Sequence, residues 1–188
     1  MNKDKLFKIL LEDKPSIALK NNEKELFEFI PEMKSCKGFE HHNPWHIYDV
    51  YEHILHVVDN TPKDLILRIA ALFHDIGKPE VFVLDDEGIG HFHGHWVTSM
   101  KVFENFAEKN DIKLEDKILI SNLIYYHDRR VVNMDQDVIN KFLEVFNKEE
   151  IKLLFILKKA DVKAQNKEFH YLLDEYDKAL EYLLSLYK

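Results

Sequence analysis

From His95 to Lys188 the chain runs 94 residues without a glycine or a proline. An all-β sandwich or barrel needs turn residues about every 8 to 12 positions, so this half excludes that class. A doubly wound parallel sheet is disfavoured on the same ground. A mainly α protein follows. The punctuation residues sit elsewhere: the last proline is Pro79, the last glycine is Gly94, and four of the five glycines and nine of the eleven histidines fall between residues 41 and 95. The irregular composition is therefore local, and it is histidine-rich.

At 46% hydrophobic and 32% charged residues the chain has ordinary globular values, and 188 residues suffice for one well-buried core. The expected organisation is one domain over residues 1–188, with a helical lead-in at 1–40, a core at 41–166 and a C-terminal packing helix at 167–188. The net charge of -8 excludes a general nucleic-acid binder, which needs a basic footprint, and leaves room only for a local basic pocket that could take RNA ends. Cys36 is the single cysteine and cannot form an internal disulfide. The N-terminus carries charge throughout instead of the apolar core of a signal peptide, and no window approaches the run of about 18 apolar residues that spans a membrane. A soluble, cytoplasmic protein without a membrane partner is expected.

Helical spacing at residues 3–12 and 22–30, with Pro15 and Pro31 ending or separating the two, predicts a short helical lead-in. After a loop from Gly38 to Pro44, a stripe of Tyr48, Tyr51, Ile54, Leu55 and Val58 predicts a helix ending at Asn60-Thr61-Pro62. Lys63 to Asp75 reads as a strongly apolar, buried central helix. Val81-Phe82-Val83-Leu84 and Ile89-Gly90-His91-Phe92-His93, around an Asp/Gly loop, predict a small β-hairpin near 81–93. Helices are expected near 95–109, 114–127, 135–146, 148–165 and 168–187, with Asp111, Asn133 and Asn147 at caps or turns.

The chemistry concentrates at His74-Asp75, at the end of the apolar run ALF and just before Ile76-Gly77-Lys78-Pro79. A histidine and a carboxylate buried side by side must be neutralised or coordinated, and a divalent metal does both. Gly77 is expected to permit a sharp helix exit so that both side chains converge. Other ligand-type side chains stand on apolar helix faces: His53 among Val50, Ile54 and Val57; His127 after Ile120, Leu123 and Ile124; Asp161 after Leu154 and Leu157. Four helices presenting such residues inward describe a metal site inside a helical bundle. Imidazole with carboxylate suits Mn, Fe, Co, Ni or Zn better than Ca, and the expected cofactor is a divalent ion of this group or Mg.

These residues resemble a known family. His, then His-Asp, then a distant Asp is similar to the HD superfamily of metal-dependent phosphohydrolases, and HDIGK at 74–78 resembles its HDIG subgroup. HNPWHIYDVYEHILH (42–56), LRIAALFHDIGKPE (67–80), GIGHFHGH (88–95) and LKKADVKAQN (157–166) are similar to the HD domain carried by bacterial CCA-adding tRNA nucleotidyltransferases. The stretch upstream is too short for a nucleotidyltransferase head, so the hydrolase-type domain is what carries over. The resemblance implies an all-α HD-domain bundle in which His53, His74, Asp75 and Asp161 hold one metal. It further implies that His95 and His127 complete a second site, with Asp75 bridging. His95 is chosen over His91 and His93 for its place before the helix that begins at Trp96.

Two cations about 3.5 to 4 Å apart lower the pKa of a bridging water and coordinate phosphoryl oxygens. Lys78, beside the doublet, and Arg129 or Arg130, just after His127, are placed to meet the remaining phosphate charge. The expected catalytic residues are thus Asp75, Lys78 and Arg129, and the expected substrate is a nucleotide or related small phosphate ester. A di-iron oxygenase of the same fold would use the same six ligands, and a non-catalytic signalling module is the third reading. His41, His42, His46 and His56 read as surface or loop histidines, with Trp45 or His46 at most lining a pocket. His91 and His93 alternate on a strand and read as solvent-facing. The Tyr/Leu stripe at 171–187 reads as core or homodimer packing.

Overall fold

The computed structural model describes residues 1–187, so Lys188, the last residue of the expected packing helix, lies outside the described residues. In chain order the elements are α1 (Lys3–Leu10), α2 (Pro15–Asn21), α3 (Glu23–Phe29), α4 (Glu32–Cys36), α5 (Val50–Asn60), α6 (Leu65–Phe73) and α7 (Lys78–Val81). A hairpin of β1 (Val83–Leu84) and β2 (Gly90–His91) follows. Then come α8 (His95–Lys109), α9 (Leu114–Tyr126), α10 (Gln136–Val145), α11 (Lys148–Ala164), a 3-10 turn (Lys167–Phe169) and α12 (Leu172–Leu186). The fold is all-α with one small antiparallel ribbon, in which Val83 pairs with His91 and Leu84 with Gly90.

Helix starts follow from local side-chain chemistry. The carboxylates of Asp49, Asp64 and Asp135 accept from the backbone N–H groups of Glu52, Leu67 and Val138, which would otherwise be orphaned at the first turns of α5, α6 and α10. Asn147 and Glu150 form a reciprocal capping box on α11. In the half without glycine, Asp111 and Asn133 take the left-handed backbone conformation, at φ of 51° and 53°. Asn and Asp are the non-glycine residues that tolerate it best. This is how a chain devoid of Gly and Pro still turns.

Three expectations are corrected. The segment Pro15–Asn21, expected only as a break between two helices, forms α2, because a proline at the first helical position lacks only an N–H that has no intrahelical partner. Val81 closes the short helix α7, where Pro79 presets a helical φ, so the ribbon begins only at Val83. The last helix begins at Leu172, after the 3-10 turn and a turn at His170-Tyr171.

The centre of the molecule is α5, α6, α9 and α11, with α8 packed on α9 and α12 on α11. Every residue of α6 from Leu67 to Phe73 is buried. Arg68 is among them, and its guanidinium donates to the carbonyls of Leu10, Glu12 and Thr61, tying the end of α1 to this central helix. On α12 Leu183 is fully buried, while Tyr176, Ala179, Leu180 and Leu184 are partly buried against the core. No helix among the described residues is long and apolar enough to cross a membrane.

Candidate metal centre

The polar residues on apolar faces meet where α5, α6, α9 and α11 pack. His53 comes from α5, His74 and Asp75 from the C-terminal end of α6, His127 from the cap of α9, and Asp161 from α11; His95 opens α8. Asp75 stands in the middle, and its two oxygens face different partners. Oδ2 lies 3.4 Å from His53 Nε2 and 3.2 Å from His74 Nε2. His53 Nε2 is in turn 3.0 Å from Asp161 Oδ1. Oδ1 lies 3.2 Å from His95 Nε2 and 3.4 Å from His127 Nε2. All six expected ligands are therefore gathered around one carboxylate, and His95, not His91 or His93, is the histidine beside it.

Gly77 makes the second half of this arrangement, by a different route from the one expected. Its φ is -84°, an ordinary value open to any residue. What it lacks is the space for a side chain: a Cβ there would sit 2.7 Å from Ser99 N and from Thr98 Cβ and 2.9 Å from His95 O. The absent side chain lets the segment after His74-Asp75 lie directly on the first turn of α8, and so brings His95 to Asp75. Ser99 Oγ accepts from Gly77 N at 2.9 Å and fixes the register.

Hydrogen bonds on the far side of the rings set the protonation pattern. His74 Nδ1 faces the Ala71 carbonyl at 2.8 Å, His95 Nδ1 that of Phe92 at 2.9 Å and His127 Nδ1 that of Ile124 at 2.6 Å. A carbonyl can only accept, so each Nδ1 carries a proton and each ring, in its neutral form, turns a lone pair on Nε2 toward Asp75. His95 and His127 consequently place two lone pairs 3.2 Å apart, with a carboxylate oxygen beside them. Such a trio repels unless a cation lies among its members. The buried His53 Nε2, His74 Nε2 and Asp75 Oδ1 have no hydrogen-bond partner, and orphaned buried acceptors of this kind are costly. The sets His53/His74/Asp75 and Asp75/His95/His127 are each close enough to hold one ion. The donor set fits a divalent transition metal.

The electrostatics agree. Burial alone would raise the Asp75 carboxyl, but His74 and Lys78 outweigh it and hold the group well below the usual carboxylate range. Burial would likewise raise Asp161, and the close approach of the His53 ring lowers it instead. His74 is driven up despite its burial, because Asp75 stabilises the protonated ring. His127 is pushed down, chiefly by burial. Two ionised carboxylates in a buried site call for cations.

Lys78 is one such cation. Its ammonium is buried and lies 2.6 Å from Asp75 Oδ2, and it donates to His41 Nε2 at 3.2 Å and His46 Nε2 at 3.3 Å. Both rings are turned for this, since His41 Nδ1 faces the Tyr48 carbonyl and His46 Nδ1 faces Asn43 Oδ1. The rings stack at 3.7 Å. Burial, and then the Lys78 charge, lower the His41 pKa to about 2. His41 was expected as a surface or loop histidine; it lies in a loop, yet it is 2% exposed. No periodicity marks a loop histidine as buried. The signal that could have found it is the lysine itself, because a buried ammonium requires three acceptors.

The centre opens on a cleft of about 350 Å³ through His95, His127 and Asp161, with Arg129 and Arg130 on its wall. The loop bearing these arginines is anchored by Lys158, whose buried ammonium donates to the carbonyls of His127 and Arg129. His91 and His93 stack with ring centroids 5.6 Å apart at the same wall, and His91 Nε2 pairs with Asp85 Oδ2 at 2.7 Å. Both line the cleft, His91 half-buried and His93 exposed to solvent as expected. Trp45 and His46 line it too.

A helical bundle with a buried His/Asp cluster around a single carboxylate defines the class as a helical metal-site protein. The model of the HD domain matches residues 45–165, well over half of the chain, and the chain belongs to that family. It is 40% identical over 72 residues to an A-adding tRNA nucleotidyltransferase of Deinococcus radiodurans, a match covering 35% of this chain and 16% of that protein. It is 24% identical to a bifunctional uridylyltransferase/uridylyl-removing enzyme of Burkholderia lata, over 86% of this chain and 21% of the relative. With its namesake in Methylococcus capsulatus the figures are 25%, 75% and 18%. The chain spans about a fifth of the length of these curated relatives. Family and donor cluster together make a metal-dependent function of the HD type.

Proposed function

We propose that the chain is a metal-dependent phosphohydrolase that cleaves a nucleotide or a related small phosphate ester with activated water and no covalent enzyme intermediate. The observation that carries this reading is Asp75, whose two oxygens face two separate sets of nitrogen donors. His53, His74, Asp75 and Asp161 would hold one divalent ion, and Asp75, His95 and His127 a second. When bound, the pair supplies an acidified water and positive charge for the phosphoryl oxygens.

The protein's own residues do the rest. Asp75 keeps the two donor sets in register, and Lys78, with its three N–H groups directed at Asp75, His41 and His46, is a positioning residue for that carboxylate and not a free phosphate grip. Arg129 and Arg130, on the cleft wall, face the phosphate, where a guanidinium fork matches its oxygens. Lys158 fixes that wall relative to His127. A relative named for uridylyl removal accords with a nucleotide-bearing ester as substrate.

The test is a panel of phosphate esters assayed with the purified chain loaded in turn with Mn, Co, Ni, Mg, Fe and Zn. Phosphate release that disappears in Asp75→Asn is the expected result. Consumption of oxygen with an organic substrate, and no ester cleaved under any metal, would sink the hydrolase reading in favour of an oxygenase.

A further inference from the structure

Beside the cleft lies a second, larger cavity of about 500 Å³. The two share a wall made of Trp96, Asp128, Arg129 and Arg130. Trp96 directly follows His95 and Asp128 directly follows His127, so this cavity adjoins the half of the centre that faces Asp75 Oδ1. Its lining is of two kinds. Trp96, Tyr125 and Met134 supply aromatic and thioether surface, while Asp128 and Asn133 supply acceptors and an amide donor. Its volume lies within the range of small-molecule sites, about 300 to 1,000 Å³, and exceeds what a phosphate alone would use.

Both signs of charge meet at the shared wall. The two arginines stand where the cavities meet, and Arg130 Nε is tethered to the Val132 carbonyl at 3.1 Å. Asp128 lines both cavities as the arginines do, and Asp135 lines the second alone, so two carboxylates there balance the two guanidiniums and leave no net positive charge for a second phosphate. Asp135 Oδ1 is already engaged as the cap of α10, which leaves Asp128 and Asn133 for a ligand's N–H and C=O groups. A tryptophan and a tyrosine among its lining residues suit a flat ring, since every planar aromatic offers a face to stack.

We infer that the second cavity is the leaving-group site, taking a planar nitrogen heterocycle joined to the phosphate by a sugar-sized spacer, with Trp96 and Tyr125 as the specificity-determining residues. The inference rests on the hydrolase reading of the metal centre. It adds that the centre discriminates by the ring carried and not by the phosphate.

The chain has two tryptophans, Trp45 and Trp96, so Trp45→Phe makes Trp96 the sole indole reporter. The metal-loaded full chain carrying this change is titrated with adenosine 5'-monophosphate and with ribose 5-phosphate, while phosphate release is followed with the unaltered chain. Saturable change of Trp96 emission with the nucleotide is expected, with affinity for ribose 5-phosphate at least about tenfold weaker. Tyr125→Ser, at a residue already 38% exposed, should reduce that preference without affecting ribose 5-phosphate binding. Equal affinity for the two ligands, or an emission that the nucleotide leaves unmoved, overturns the inference, and the hydrolase reading survives if phosphate is still released. Selective nucleotide binding with neither ester cleaved upholds the cavity and removes the hydrolase reading.

Discussion

Lys78 Nζ lies 2.6 Å from Asp75 Oδ2, and both groups are buried. Removing one partner of a buried ion pair leaves an uncompensated charge and costs about 3 to 5 kcal/mol. Lys78→Met should therefore destabilise the metal-free chain by about 3 kcal/mol or more. With metal bound the loss should be smaller, because the ions then supply positive charge to the same carboxylate. Denaturant unfolding of metal-free and metal-loaded protein tests this, and equal losses in the two states would show that Lys78 does not act through Asp75.

The two faces of the Asp75 carboxylate predict separable ions. Asp161→Asn should lower the metal content by one ion per chain while sparing the half made by His95 and His127, and His95→Asn should do the converse. Asp75→Asn should lose both. Metal analysis after dialysis against a single cation reads the difference, and identical losses in all three variants would mean one shared ion.

Gly77→Ala adds a methyl group where Ser99 N and Thr98 Cβ already stand 2.7 Å away. Overpacking of this kind costs about 1 to 3 kcal/mol. The backbone conformation at Gly77 suits alanine, so the whole cost arises from the displaced first turn of α8. Calorimetric unfolding should show the loss, and metal affinity should fall at the half containing His95 before the half containing His53.

Burial lowers the Lys158 pKa to about 8 from an ordinary value of 10.5. Between those values the unfolded chain binds a proton that the folded chain has released, so this residue's contribution to stability rises with pH from 8 to 10.5. It is constant above that window, and the cost is fully present below pH 8. The span corresponds to about 3 kcal/mol. The stability of the wild type relative to Lys158→Met should follow that course, and a flat difference across the window would refute it.

The sequence by itself determined the helical class, the positions of α8 to α11 to within a residue or two, and the five residues gathered around Asp75. It could do so because each of these is written in a local pattern: apolar periodicity places His53, His127 and Asp161 on inward faces, and likeness to the HD pattern adds His95. Tertiary structure alone decided which face of Asp75 each histidine meets, since a carboxylate's two oxygens are indistinguishable in a string of letters. It also decided that Gly77 serves close packing and not a turn, because the need for an absent Cβ arises only when α8 comes to rest there. His41 and His46, two of the three acceptors around Lys78, belong to the same category. They lie more than 30 residues from the lysine in the chain, and only the packed core makes its ammonium require them.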